Sequence, residues 1–191
     1  MTQRWAWAEV DLRALRRNVE AIVANTTTHS VWAVVKADAY GHGAVECARV
    51  ALDSGAIGLC VALVDEGVAL RRAGIAAPIL VMSEQPPEQH RQLVSNGLIA
   101  TVYNSESIEA LGRIAEEMNI VCAVHLKVDT GMHRVGVSPS DAVARAREVL
   151  DNPWLSLDGV YSHLATADDA SHNDVTESQV RSFAAVLNDL T

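Results

Sequence analysis

The sequence predicts an α/β fold built from parallel strands, on two observations. Short apolar runs recur along its 191 residues, and helical patterns with their own start and stop signals fill the gaps between them. The runs cover residues 31–36, 57–62, 79–82, 98–103, 120–129 and 157–165. Most are apolar on both faces, as strands of a covered parallel sheet are. Their starts recur at about two dozen residues, and strand–helix alternation at that pitch makes right-handed βα crossovers.

Taken in order, the first helix shows the stripe Leu12, Leu15, Val19, Ile22 and Val23, with Asp11 as its N-cap. Gly55, Gly74 and Gly97 fall just past helical stretches, where left-handed stops belong. A later helix carries Ile108, Leu111, Ile114, Ala115 and Met118 after Asn104 or Ser105. "VSPSDAVARAREVL" opens with Ser138 as cap, Pro139 at the first helical position and Asp141 in the first turn. The last helix shows Val180, Phe183, Ala184, Leu187 and Leu190 as its apolar face. About six βα units result, either in an open doubly wound sheet or in an incomplete (β/α)8 barrel, which needs eight units and typically ~250 residues.

The chain is 49% hydrophobic and 20% charged, a globular composition. Its net charge is -9 and its basic residues form no run, which argues against nucleic acid and anionic membranes as partners. No stretch has the length of a membrane-spanning helix, and the N-terminus lacks the apolar region of a secretory signal. Cys47, Cys60 and Cys122 are odd in number, widely spaced and set in apolar surroundings. They read as core side chains in a reducing compartment, with the cytoplasm as the expected location.

In both folds chemistry collects at the carboxyl ends of parallel strands. Three such ends carry ionisable groups. Lys36 ends the first run, in "AVVKADAYGHGA"; the neutral amine of a desolvated lysine is a nucleophile toward carbonyls. Tyr40 and His42 follow closely, and Gly41 and Gly43 offer backbone amides to a phosphate where the next helix begins. "HLKVDTGMHRVGV" ends the fifth run: His125, Lys127 and Asp129 alternate and so share a face, and Gly131 and Gly136 bracket a loop that presents Arg134 inward. "YSHLATADD" ends the sixth, with His163. Blander readings exist for each: a snorkelling surface lysine at 36, an internal pair between Lys127 and Asp129, a core histidine at 163, a flexible loop at the Gly-x-Gly. Convergence on one rim of one sheet favours function.

Those three motifs, with "WAEVDLRALRRNV" near the start, resemble the pyridoxal-phosphate-dependent alanine racemases, in order and over essentially all of residues 1–191. The resemblance selects the barrel: a partial N-terminal (β/α)8, TIM-type domain of about six βα units, with the family's C-terminal β domain absent from this chain. It implies racemisation of L- and D-alanine, supplying D-alanine for peptidoglycan, by a homodimer with pyridoxal 5'-phosphate as cofactor. By resemblance, Lys36 holds the cofactor covalently and acts as one of two bases. Tyr40 contacts the phosphate, Arg134 meets the cofactor phenolate and the substrate carboxylate, and His163 packs beside the pyridine ring. Lys127 matches a lysine that is carbamylated in some members. The second base and most of the phosphate cup belong to the part of the family pattern lying past Thr191, so the fragment alone is expected to be inactive. Two rivals remain: a barrel protein that holds the cofactor without catalysis, and a metal-dependent barrel hydrolase using His125, Lys127 and His163. The latter lacks a His-x-His pair, and the expectation is that no metal binds.

Overall fold

Strands that are apolar on both faces need cover on both, and the second, third and fourth strands are buried at every residue. The computed structural model describes residues 7–26 and 29–190. Residues 1–6, part of the segment read as lacking a leader, lie outside the described residues, as do 27, 28 and 191. The order is α1 (Leu12–Asn25), β1 (Trp32–Val34), α2 (Lys36–Gly41), α3 (Ala44–Asp53), β2 (Gly58–Val61), α4 (Val64–Arg72), β3 (Ile79–Val81), α5 (Pro87–Ser95), β4 (Ala100–Val102), α6 (Ser105–Met118), β5 (Cys122–Lys127), α7 (Ala142–Leu150), β6 (Leu155–Tyr161) and α8 (Asn173–Leu190). The alternation reproduces the expected βα units. The strands lie in two sheets, β1–β2–β3 and β4–β5–β6, with parallel pairing of β1 to β2, β4 to β5 and β5 to β6. The chain divides into two compact units, Met1–Leu80 and Val81–Thr191.

In the first unit β2 is buried along its whole length. Trp32 is paired in register with Gly58, and a Cβ on Gly58 would sit 2.5 Å from the Trp32 ring. The glycine therefore makes room for the indole to lie across the sheet. Asp11 caps α1 as expected, its Oδ1 accepting the N–H of Arg13 (2.8 Å) and Ala14 (3.0 Å). Val19 of α1 packs with Ala51 and Ala56, and Leu15, Val23 and Ala33 close around them. Ile22, expected in that stripe, is 55% exposed; it lies at the stripe's edge, about 60° around the helix from Val19. The glycine stops at 55, 74 and 97 all have positive φ, as predicted.

In the second unit Leu126, Val128, Val137, Ala142, Ala146 and Val186 form one core cluster, joined by Phe183 and Leu190 of α8. Asn104 caps α6 through the N–H of Ser107 (2.8 Å). The predicted helix after Ser138 opens as a 3₁₀ turn, Pro139–Asp141, before α7. Ser138 Oγ donates to Asp141 Oδ2 (2.7 Å), so the cap hydroxyl goes to a side chain and not to the helix backbone.

Two sequence expectations need correction here. The buried face of α8 is Gln179, Phe183, Val186 and Leu190, while Val180 and Leu187 are exposed. A buried glutamine sits in the i, i+4, i+7, i+11 series, which is why counting apolar residues chose the wrong edge. The sixth strand covers Leu155–Tyr161 and not residues 157–165. Past the Lys127–Tyr161 pair, β5 turns to bond with Val137 (Val137 N–H to Lys127 O and Asp129 N–H to Val137 O, both 2.9 Å), so β6 loses its partner. Cys47, Cys60 and Cys122 are free and buried, as read. Among the described residues no helix is long and apolar enough to cross a membrane.

At the turn that returns to β5, Gly136 has φ +134°, and a Cβ there would come within 2.6 Å of the Asp129 backbone nitrogen. Backbone cannot yield as a side-chain tip can, so Gly136→Ala is expected to destabilise by at least ~2 kcal/mol. A urea unfolding midpoint unchanged from the parent would show that this turn relaxes freely.

Candidate active site

The first unit carries Lys36. Its strand ends at Val34, and Val35 extends the pairing through its N–H to Cys60 O (2.9 Å). Lys36 therefore lies just beyond the strand end, not within it. Then comes a conformation that the sequence did not announce. Ala37, Asp38, Ala39 and Tyr40 have φ of 51°, 54°, 52° and 55°, a full turn of left-handed helix without a glycine. Such a conformation costs roughly 1–2 kcal/mol per residue, about 4–8 kcal/mol over the four. Strain of this size persists only where the surroundings over-determine it.

The surroundings are specific. Ala39 is buried, and its N–H bonds Val35 O (2.9 Å). Asp38 O accepts the N–H of Gly43 (2.9 Å), and Asp38 Oδ1 accepts that of Ala44 (2.6 Å), the first residue of α3. Glu66 Oε1 accepts the N–H of Ala37 (2.6 Å). His42 Nδ1 lies 2.8 Å from Ala39 O. The turn brings Lys36 Nζ to 5.9 Å from the centre of the Tyr40 ring. Lys36 is half-buried and Tyr40 exposed. Of the two glycine amides expected to be open to a phosphate, that of Gly43 is already bonded to Asp38 O, as the amide of Ala44 is to Asp38 Oδ1. The same glycine-flanked segment is a held turn and not a flexible loop.

The second unit carries the other candidates. Lys127 is buried, its Nζ 5.6 Å from the centre of the Tyr161 ring. The Tyr161 hydroxyl donates to Met82 O (3.0 Å) and pairs with Thr101 Oγ1 (2.9 Å), which donates in turn to Val81 O (2.6 Å). The His125 ring stands 6.3 Å from that of Tyr161, so His125 and Lys127 share a face as the alternation predicted. Burial lowers the His125 pKa, and Asp158 pulls it back up. Asp129 serves the loop's own backbone: Oδ1 accepts the N–H of Gly131 (3.0 Å), Met132 (2.9 Å) and His133 (3.0 Å), and Oδ2 that of Arg134 (3.2 Å). Arg134 is exposed, and the four amides gathered on one carboxylate fix the backbone of the loop that carries it. His163 is exposed and beyond β6, so it is not the core histidine of the bland reading.

Gln179 ties this end together. Its Nε2 donates to His163 O (3.0 Å), and its Oε1 accepts the N–H of Ala165 (2.9 Å). Thr130 Oγ1 and Ser162 Oγ, one from each loop, are 2.7 Å apart. Sequence reasoning missed Glu66, Gln179 and Tyr161. Glu66 had half a signal: it reaches back to the Leu63 N–H (3.1 Å) like the glutamate of a capping box, but position 63 offers no hydroxyl. Among the described residues no group of three or more His, Cys, Asp or Glu converges as a metal site would.

Parallel βα repeats, with a lysine just past β1 and further polar groups after β5 and β6, define an α/β domain of the partial-barrel type. The profile of the family described as alanine racemase, N-terminal domain, matches residues 10–191. The chain belongs to that family. An alanine racemase of Symbiobacterium thermophilum is 42% identical over 187 residues, covering 98% of this chain and 49% of its own length. A solved alanine racemase from Bacillus anthracis with bound L-Ala-P superposes with a TM-score of 0.89 at 35% identity, covering 98% of this chain and 49% of that one. A solved histidine racemase from Leuconostoc mesenteroides gives a TM-score of 0.84 at 31% identity over 90% of this chain and 46% of that one. The chain spans about half the length of these relatives.

Partial burial raises the Asp129 pKa, but the amides of Gly131, His133 and Met132 outweigh it and hold the carboxyl below its ordinary value. The folded form thus binds the proton less well than the unfolded chain. Its stabilisation is complete above the unfolded pKa and is lost as pH falls through the folded one. Asp129→Asn is expected to flatten the acid limb of stability below about pH 4. Unfolding midpoints measured across that range check it; parallel acid limbs for parent and variant would contradict it.

Proposed function

We propose that this chain bears the cofactor lysine of a pyridoxal-phosphate-dependent alanine racemase, one that interconverts L- and D-alanine, supplies D-alanine for peptidoglycan, and acts in the cytoplasm as a homodimer when full-length. The observation that carries the reading is Lys36, set just past a strand paired in parallel with buried β2 and followed by a hydrogen-bonded left-handed turn, in a chain of this family. The donor set suits the cofactor: a primary amine for its aldehyde, with an exposed phenol hydroxyl beside it for its phosphate. When bound, the cofactor spreads the electron pair left on the substrate's α-carbon.

The chain's residues do the rest. Lys36 holds the cofactor and then moves the α-proton on one face. Tyr40 binds the phosphate. Arg134 meets the substrate carboxylate and the cofactor phenolate, and His163 packs beside the pyridine ring. Lys127 is the carbamylation candidate: its conversion to an anion would let a buried position hold Arg134. Racemisation needs a second base on the opposite face, and the resemblance assigns that base to the C-terminal domain. The 191 residues alone are therefore expected to turn over poorly.

The test adds pyridoxal 5'-phosphate, reduces with borohydride and maps the modified peptide by mass. A single label on Lys36 is expected, with none in Lys36→Ala. A label on Lys127 or on the N-terminal amine in place of Lys36, or no label at all, would remove the reading. In a full-length form, Lys36→Ala is expected to abolish alanine racemisation, and alanine to be preferred over histidine as substrate. Retained activity in that variant would end the assignment, and a preference for histidine would change the substrate.

A further inference from the structure

The left-handed turn after Lys36 is anchored at both ends by carboxylates. Asp38 ties the far end to α3. The near end depends on Glu66, whose two oxygens face different pieces of chain. Oε1 takes the N–H of Ala37, the first left-handed residue, at 2.6 Å. Oε2 takes the N–H of Ala62 (2.7 Å) and Leu63 (3.1 Å), where β2 ends. Val35 still bonds Cys60 on β2, so Glu66 bridges the two chains at the point where they diverge. One carboxylate thus sets the spacing between the end of β2 and the residue following the lysine.

We propose that Glu66 is a positioning residue for Lys36, acting through the left-handed turn that it clamps. The inference rests on Lys36 being the covalent cofactor site. A glutamine cannot replace the carboxylate, because its NH₂ group would face a backbone N–H on one side. A purely local role exists as the alternative: Glu66 also caps α4 through Leu63.

The two roles separate on rescue. Glycine adopts positive φ without a Cβ penalty, so Ala37→Gly relieves a turn that has lost its clamp, but it does nothing for a lost cap on α4. Parent, Glu66→Gln, Ala37→Gly and the double variant are compared by rate of borohydride-trapped labelling at Lys36, by the pH midpoint of the cofactor absorbance, and by amide hydrogen exchange at residues 37–40. Glu66→Gln is expected to slow Lys36 labelling on the order of tenfold, as loss of a charge-assisted hydrogen bond does. It should also shift the pH midpoint and speed exchange at 37–40, and the double variant should recover labelling. Glu66→Asp keeps the charge but is one methylene too short to span both ends, and should slow labelling likewise. Parent-like labelling or unchanged exchange at 37–40 in Glu66→Gln would overturn the proposal, as would a folded double variant without recovery or parent-like labelling in Glu66→Asp. If the parent takes no label on Lys36, the cofactor reading fails on its own, and the exchange rates still decide whether Glu66 holds the turn.

Discussion

Four successive residues without a glycine, held left-handed against their own preference, are the constraint on which the lysine end of the molecule depends. The turn does two things at once. It folds Tyr40 back beside Lys36, and it returns the chain so that α3 can start at Ala44. Neither survives if the turn relaxes to ordinary helical angles, because Asp38 would then no longer meet the amides of Gly43 and Ala44. The stabilising contacts come from backbone and carboxylates on elements already fixed by the parallel sheet. Burial of β2 and Ala39 is thus spent partly on a backbone that would not form alone.

The chain's acidity has a structural use. It carries 24 acidic against 15 basic side chains, and several of the carboxylates bond backbone N–H groups. Asp11 caps α1, Asp38 and Glu66 hold the left-handed turn, and Asp129 gathers the loop after β5. Glu84 accepts the N–H of Tyr103 (2.6 Å) and Asn104 (2.8 Å) where β4 gives way to α6. These sites lie at helix starts and loop entries, where unpaired N–H groups accumulate and negative charge is favoured. The two titrations differ by environment: the amides win at Asp129, whereas burial wins at Glu84 and raises its pKa despite the same kind of bonds.

Much of this was legible in the residues. Apolar runs gave the second, third and fourth strands to within a few positions, because a strand buried on both faces leaves no alternation to misread, and side-chain caps such as Asp11 and Asn104 announced their helices. Lys36, Lys127 and His163 were singled out because ionisable groups stand out against apolar surroundings. What stayed hidden has a common cause. The left-handed turn, the Glu66 bridge and the Gln179 clasp are made by side chains bonding to backbone far away in sequence, 29 residues apart for Glu66 and Ala37. No local pattern encodes such a bond. Gln179 even misled the reading of α8, since a polar residue on the buried face looks like the solvent side until its partners are seen.

That glutamine has a consequence for how the molecule is made. The loops after β5 and β6 are joined to each other by Thr130 and Ser162, but the backbone of His163 and Ala165 is held from α8, which follows both strands in sequence. A ribosome delivers residues in order, and domains form from the N-terminal side as they emerge. The sheet can assemble while the rest is still being translated, yet the rim around His163 must wait for its clasp. The arrangement lets the strands form before the loop that follows β6 takes its final shape.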